Sequence, residues 1–197
     1  MSSVEQGGRR TRLSPEREAE LYTAVLELLG EVGYEALTMP GVAARSRSST
    51  ATLYRQWGGK PGLVAAALMH RSPLPDFSDI DTGSLREDLL AMTLRVLAIA
   101  PEVRKLMAGL AHAAMADQDL GTAMRAKFAQ PGEVAVQEAL RRAEIRGEIA
   151  QGHPAGQFAG HLLIALTIVL PSLDGRELDA AYVAEFLDVV LIPAFRG

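Results

Sequence analysis

Five cations, Arg45, Arg47, Arg55, Lys60 and Arg71, stand between Thr38 and Pro75 with no Asp or Glu among them. The chain beyond reads the other way: from Asp76 to Gly197 there are eleven basic and seventeen acidic residues, and the whole protein carries a net charge of −4. Interleaved with the cations are Thr38, Ser49, Thr50, Thr52, Tyr54 and Gln56, all hydroxyl or amide donors. Such side chains hold phosphate oxygens, an Arg can fork onto a guanine edge, and Ala51 or the methyl of Thr50 can pack on a thymine methyl. This is chemistry for a nucleic acid, concentrated in one segment of an otherwise acidic chain.

A second group of residues suits an apolar ligand. Met92, Met107, Met115, Met124 and Phe128 recur through a weakly polar stretch, and methionine adapts to irregular partners. His112 and His161 are the polar candidates there, because a ring nitrogen can hydrogen-bond a molecule held in an apolar cavity. Enzymatic chemistry has little to work with. His70, His112, His153 and His161 lack metal-ligand spacing, the chain has no Cys, and no glycine-rich phosphate loop occurs. Neither a metal nor a cofactor is expected.

The elements that must position these residues are helices. Hydrophobic residues make up 48% of the 197 but aromatics only 5%, with Ala, Leu and Val predominant, which predicts an all-α protein. Residues 1–13 read as a flexible basic arm. Ser14-Pro15 opens a first helix with Leu21, Val25, Leu28, Leu29 and Val32 on one face, closed by Gly33. Thr38 caps a short second helix ending near Arg45. Ser48 or Ser49 caps a third, in which Leu53 and Trp57, four apart, point inward and leave Thr50, Ala51, Tyr54 and Arg55 outward. Gly58-Gly59 ends it, and Lys60-Pro61 starts a fourth. Short helix, turn, short helix is the arrangement that lays its second helix in a major groove.

Here the resemblance to a known family becomes specific. Gly33-Tyr34, Thr38-Met39, Val42-Ala43-Ala44 and Thr52-Leu53-Tyr54-Arg55-Gln56-Trp57-Gly58-Gly59-Lys60, followed by Leu63, resemble the N-terminal signature of the tetracycline-repressor family. The likeness spans roughly residues 14–70. It implies that Thr38 caps helix two and holds a phosphate, that Thr50, Ala51 and Arg55 face bases, and that Thr52, Tyr54, Gln56 and Lys60 hold the backbone. Arg45, Arg47 and Ser49 complete the expected DNA-binding set. One departure stands in the turn, where Arg47-Ser48 replaces the usual Gly and apolar residue; a left-handed Arg47 costs roughly 1 kcal/mol.

The linker Ser72-Pro73-Leu74-Pro75-Asp76 separates a head, residues 14–71, from a ligand-binding and dimerisation body, residues 76–197. Helices are predicted over 85–100, 101–115, through Met124 and Phe128, 132–146, 155–170 and 179–195. The last two are apolar nearly all round and imply burial on more than one side. Phe158, Leu162, Leu166, Val169, Val183, Leu187, Val190 and Leu191 are the expected dimer contacts, in a four-helix bundle that the resemblance also implies. The longest apolar stretch, 162–173, is too short to span a bilayer, and no apolar segment follows Arg9-Arg10, so a cytoplasmic protein without a membrane partner is expected. The reading is of a ligand-responsive DNA-binding transcriptional repressor, a homodimer released from a palindromic double-stranded DNA operator by a small apolar or aromatic effector. The runner-up is a dimeric ligand-binding or protein-interaction module that has lost DNA binding.

Overall fold

A computed structural model describes residues 13–73, 75–99, 101–171, 175 and 178–196. All regular structure among them is helical. The chain divides after Arg71 into two compact units. The expected basic arm lies, except for Leu13, outside the described residues.

Among the described residues, the first unit holds four helices. α1 (Pro15–Ala36) begins on Ser14, whose hydroxyl accepts from the Arg17 N–H, with Pro15 in the first turn and Glu16 and Glu18 complementing the helix dipole. Gly33, at φ 76°, breaks the helical geometry near its end. Leu21, Val25 and Leu29 are buried, whereas Val32, expected on the same face, is 45% exposed. α2 (Met39–Arg45) is capped by Thr38, and α3 (Thr50–Trp57) by Ser49. α4 (Lys60–Arg71) buries Leu63, Val64, Ala67 and Leu68. The placement of α3 on α4 depends on Gly62, where an added Cβ would lie 2.2 Å from the Trp57 carbonyl oxygen. No side chain fits there.

The second unit contains α5 (Leu85–Leu97), α6 (Pro101–Ala116), α7 (Gln118–Met124), α8 (Gln130–Arg146), α9 (Gly156–Ile164) and α10 (Ala180–Phe186). Its core is drawn chiefly from α5, α8, α9 and α10, with Leu89, Ala139, Ala159, Val183 and Leu187 inaccessible. A charged network ties α5 to α8. The Asp88 carboxylate, 0% exposed, accepts from the Thr82 N–H and hydroxyl, both at 2.7 Å, and from Arg142 at 3.1 Å. Arg86 grips Asp188 with two nitrogens at 2.6 and 2.7 Å, joining α5 to the last helix.

Three π-helical turns interrupt or extend these helices: Arg125–Ala129, Ala165–Val169 and Leu187–Leu191. Each ends two residues before a proline: Pro131, Pro171 and Pro193. A proline within a helix lacks its N–H and its ring collides with the carbonyl four residues back. Widening the preceding turn moves that carbonyl aside. The residue before each proline donates five residues back instead, as Ile192 N–H does to the Leu187 carbonyl at 2.8 Å.

Candidate functional site

The geometry around α3 starts at the turn before it. Arg47 is, among the described residues, the one non-glycine with positive φ, at 51°. Its N–H reaches the Ala44 carbonyl at 3.4 Å and the Ser48 N–H reaches the Ala43 carbonyl at 2.9 Å. These are the paired bonds of a Schellman turn, which normally takes glycine at the left-handed position. α8 closes with the same pair around Gly147, where no Cβ is strained. The turn geometry therefore survives the Arg47-Ser48 departure, at the cost of roughly 1 kcal/mol of backbone strain.

Ser49 then starts α3 by accepting from the Thr52 N–H at 3.1 Å, and its hydroxyl lies 2.9 Å from that of Thr52. Leu53 is fully buried. Trp57 is half-buried, and its indole N–H donates to the Tyr22 hydroxyl at 3.1 Å. With those two turned inward, Ala51, Tyr54 and Arg55 are exposed and Thr50 is partly so; Tyr54 is 53% accessible. Arg47 and Arg55 have no ion-pair partner among the described residues. The outward face thus combines two cations, a phenol, a threonine and an alanine.

Other expected contact residues have structural employment. Arg45 is bound to Glu31 at 3.1 and 2.6 Å and lies 3.7 Å from Glu27. A hydrogen bond from Arg45 holds the Glu31 carboxyl below its usual range, and Glu31 in turn raises the Arg45 pKa. Gln56 donates to Glu18. Lys60 donates to the Tyr34 carbonyl at 3.0 Å and sits 4.1 Å from the Tyr34 ring centroid, pinning the start of α4 to the end of α1. Thr38 spends an oxygen lone pair on the Gly41 N–H at 3.2 Å. Arg45, Gln56 and Lys60 are therefore already engaged with α1. The sequence reading missed their partners, and also Arg17, which donates to the Ser46 carbonyl at 3.0 Å and steadies the end of α2.

The second unit holds a cavity of about 390 Å³, open to solvent on one side where Met115, Arg125 and Glu133 are exposed. Met92, Met107, Met115, Met124 and Phe128 all line it, as do Thr93, Thr167, Gly132 and Gly160. Two of the three π turns contribute to the wall, through Arg125, Phe128 and Ala129 and through Thr167 and Ile168. His112 and His161 do not line it and are exposed. His112 is five positions from Met107, about 140° round the helix, while the lining positions Ala111, Ala114 and Met115 follow the four-and-seven spacing. The His161 ring donates from Nδ1 to the Gln157 carbonyl at 3.1 Å.

Among the expected dimer contacts, Phe158, Val169 and Val190 are 56, 43 and 46% exposed. Leu162 is partly buried. Leu166, Val183, Leu187 and Leu191 must be corrected. All four are packed into their own chain's core and leave no surface for a partner. Val189 is also exposed, at 68%, while Ile164, 38% exposed, lines the cavity.

This helix-turn-helix unit followed by a helical body with an apolar cavity defines a class. Residues 21–67 match the family described as bacterial regulatory proteins, tetR family, and residues 79–190 match the tetracyclin repressor-like C-terminal domain. The chain belongs to the tetracycline-repressor family, and it is a DNA-binding transcriptional regulator, not an enzyme. It is similar to a protein of Mycobacteroides abscessus named as the DNA-binding transcriptional repressor TetR: 31% identical over 184 residues, 91% of this chain and 94% of that one. The regulator YdeS of Bacillus subtilis is 25% identical over 190 residues, covering 90% of this chain and 87% of its own. Among solved structures, the TetR family transcription regulator SCO0332 shares 29% identity at a TM-score of 0.56, covering 91% of this chain and 98% of that one. Salmonella enterica GusR, at 19% identity, shares the fold with a TM-score of 0.69 over 94% and 98% of the two chains. Regulators of this family bind DNA and dimerise. No helix among the described residues is long and apolar enough to cross a membrane.

Proposed function

We propose that this protein is a cytoplasmic repressor whose homodimer grips a palindromic operator through α3 and lets go when an apolar effector fills the cavity of the second unit. The observation that carries the reading is the outward face of α3. Thr50, Ala51, Tyr54 and Arg55, with Arg47 beside them, are an accessible donor and cation surface in a protein of net charge −4. Arg55 is the reader of a base edge; Thr50 and Ala51 sit against bases; Arg47, Tyr54 and the ends of α2 and α3 around Thr38, Ser49 and Thr52 face phosphates. Lys60 positions α4 first and reaches a phosphate second.

The exposed apolar side chains of α9 and of the π turns that extend α9 and α10, Phe158, Val169, Val189 and Val190, support pairing with a second copy. Two-fold symmetry then calls for half-sites about one helical turn or a multiple apart. The chain runs from α4 through residues 72–84 into α5, which lines the cavity with Met92 and Thr93, so an occupant can bias the spacing of the heads.

Selection of bound sequences from a random DNA pool tests the reading. A palindromic consensus is expected, and recovery of no consensus would overturn it. Val190→Glu, at an exposed position, should leave a folded chain that sediments as a monomer and binds the operator at least tenfold more weakly. A wild-type chain that is already monomeric at micromolar concentration would end the dimeric account.

A further inference from the structure

Two polar side chains stand on the cavity wall away from solvent. Thr93 is 2% exposed and Thr167 is 3% exposed. They come from different helical segments, Thr93 from α5 and Thr167 from the π turn after α9. Each hydroxyl hydrogen is already committed to a carbonyl of its own helix. Thr93 Oγ1 donates to the Leu89 carbonyl at 2.7 Å, and Thr167 Oγ1 donates to the Leu163 carbonyl at 2.8 Å. One back-bonded threonine in a helix is an ordinary feature. Two on the wall of one apolar cavity have a consequence for whatever enters it.

A hydroxyl that has given its hydrogen away keeps acceptor capacity only. The buried polar surface offered to an occupant is therefore all acceptor. A carboxylate, ketone or ether turned toward these oxygens would meet lone pairs, and its own acceptors would find no donor from them. A hydroxyl on the occupant would give its hydrogen to them. Full charge fits poorly beside the two threonines, since the charged lining residues, Arg125 and Glu133, are both exposed. The rest of the wall is methionine, aromatic, aliphatic and glycine, so the body of the occupant is apolar. A volume of about 390 Å³ lies within the range for small-molecule sites.

We infer that the effector is a neutral, mainly apolar molecule bearing a hydroxyl donor, of the phenol or alcohol class, and that the oxygens of Thr93 and Thr167 select it over acceptor-only analogues. This rests on the reading of the cavity as the effector site.

The test uses the full-length protein and four probes of matched bulk: 4-butylphenol, 4-butylcyclohexanol, 4-butylanisole and 4-butylbenzoate, titrated by calorimetry. The phenol or the cyclohexanol is expected to bind at least tenfold more tightly than the anisole or the benzoate. Thr93→Val or Thr167→Val, which keep shape and remove oxygen, should erase most of that gap by weakening the hydroxylated probes while leaving the anisole unchanged. Thr93→Ser and Thr167→Ser restore an oxygen and should restore the gap, which separates lost recognition from a damaged fold. Gly132→Leu adds a side chain where the built Cβ meets nothing within 4 Å, on the cavity wall, and should abolish binding of every probe. Equal affinities for phenol and anisole, or a gap that persists in both valine variants, would overturn the donor assignment and leave the cavity reading intact. If no probe binds, or if binding survives Gly132→Leu, the cavity reading falls and the inference with it.

Discussion

The two units of this chain specify themselves in different ways. In the first, polar and charged side chains decide local geometry: Ser14, Thr38 and Ser49 cap three helices, and Arg45, Gln56 and Lys60 each bind a group of α1. In the second, Ser84, Asp117 and Asp179 cap helices in the same way, but apolar bulk decides the packing, and a buried ionic network around Asp88 ties α5 to α8. The first unit presents an exposed polar surface, while the second leaves about 390 Å³ unfilled. Recognition of DNA needs side chains fixed to within a fraction of an ångström, whereas a cavity needs walls that agree on shape and little else.

The largest expected effect is in the second unit. The Asp88 carboxyl is raised by burial, but the N–H and hydroxyl of Thr82 and the Arg142 guanidinium overcome this and hold it below its usual range. A carboxyl depressed on folding stabilises the fold fully above its unfolded pKa of about 4, and that contribution disappears as pH falls through the lower folded value. Arg142→Met leaves the buried carboxylate with Arg146, 3.9 Å away, as its remaining cation and should cost up to about 3 kcal/mol at neutral pH. Urea unfolding from pH 7 to 3 should also show the variant losing less stability than wild type as pH falls below about 4, so that the difference between the two narrows. An unchanged midpoint would mean that the network contributes nothing.

Gly62 and Gly132 sharpen the comparison from the opposite side. Gly62→Ala drives a Cβ into the Trp57 carbonyl and should destabilise the first unit by roughly 1–3 kcal/mol. Gly132→Ala meets nothing and should stabilise α8 by up to about 1 kcal/mol through helix propensity. Thermal melts that rank the two alike would break the contrast.

Arg47→Gly is the smallest effect and the most diagnostic. Relief of the left-handed strain should stabilise the protein by about 1 kcal/mol, as at the Gly147 turn of α8. If Arg47 holds a phosphate, operator affinity falls at the same time, and the slope of log K against log salt drops by about one unit. Stability and DNA affinity then move in opposite directions, which a purely structural Arg47 would not produce.

Legibility in the sequence follows the same division. The α3 face could be read because its determinants are local: a serine cap, Leu53 and Trp57 four residues apart, and a glycine pair at the end. What could not be read were partners far along the chain, since Arg45 meets Glu31 fourteen residues back and Gln56 meets Glu18 thirty-eight residues back. The methionine lining was legible as composition. The histidines were misplaced because helix phase, not polarity, decides what faces the cavity. The dimer residues erred for a related reason: a helix apolar all round does not say which stripe its own core takes, and Leu166, Val183, Leu187 and Leu191 went to the core. The π turns left a signal that went unused, a proline two residues after each. Thr93 and Thr167 carried none, because a threonine among aliphatic residues marks a cavity only once its neighbours are placed.

The central claim is that the outward face of α3 reads bases. The direct measurement is the affinity of wild type and Arg55→Ala for the selected operator and for every single-base substitution of it, at fixed salt. Arg55→Ala should weaken operator binding by about 1–3 kcal/mol per contact, and lose discrimination at one base pair in each half-site while keeping it elsewhere. A uniform weakening across all positions, or an unchanged profile, would contradict the assignment of α3 as the reading helix.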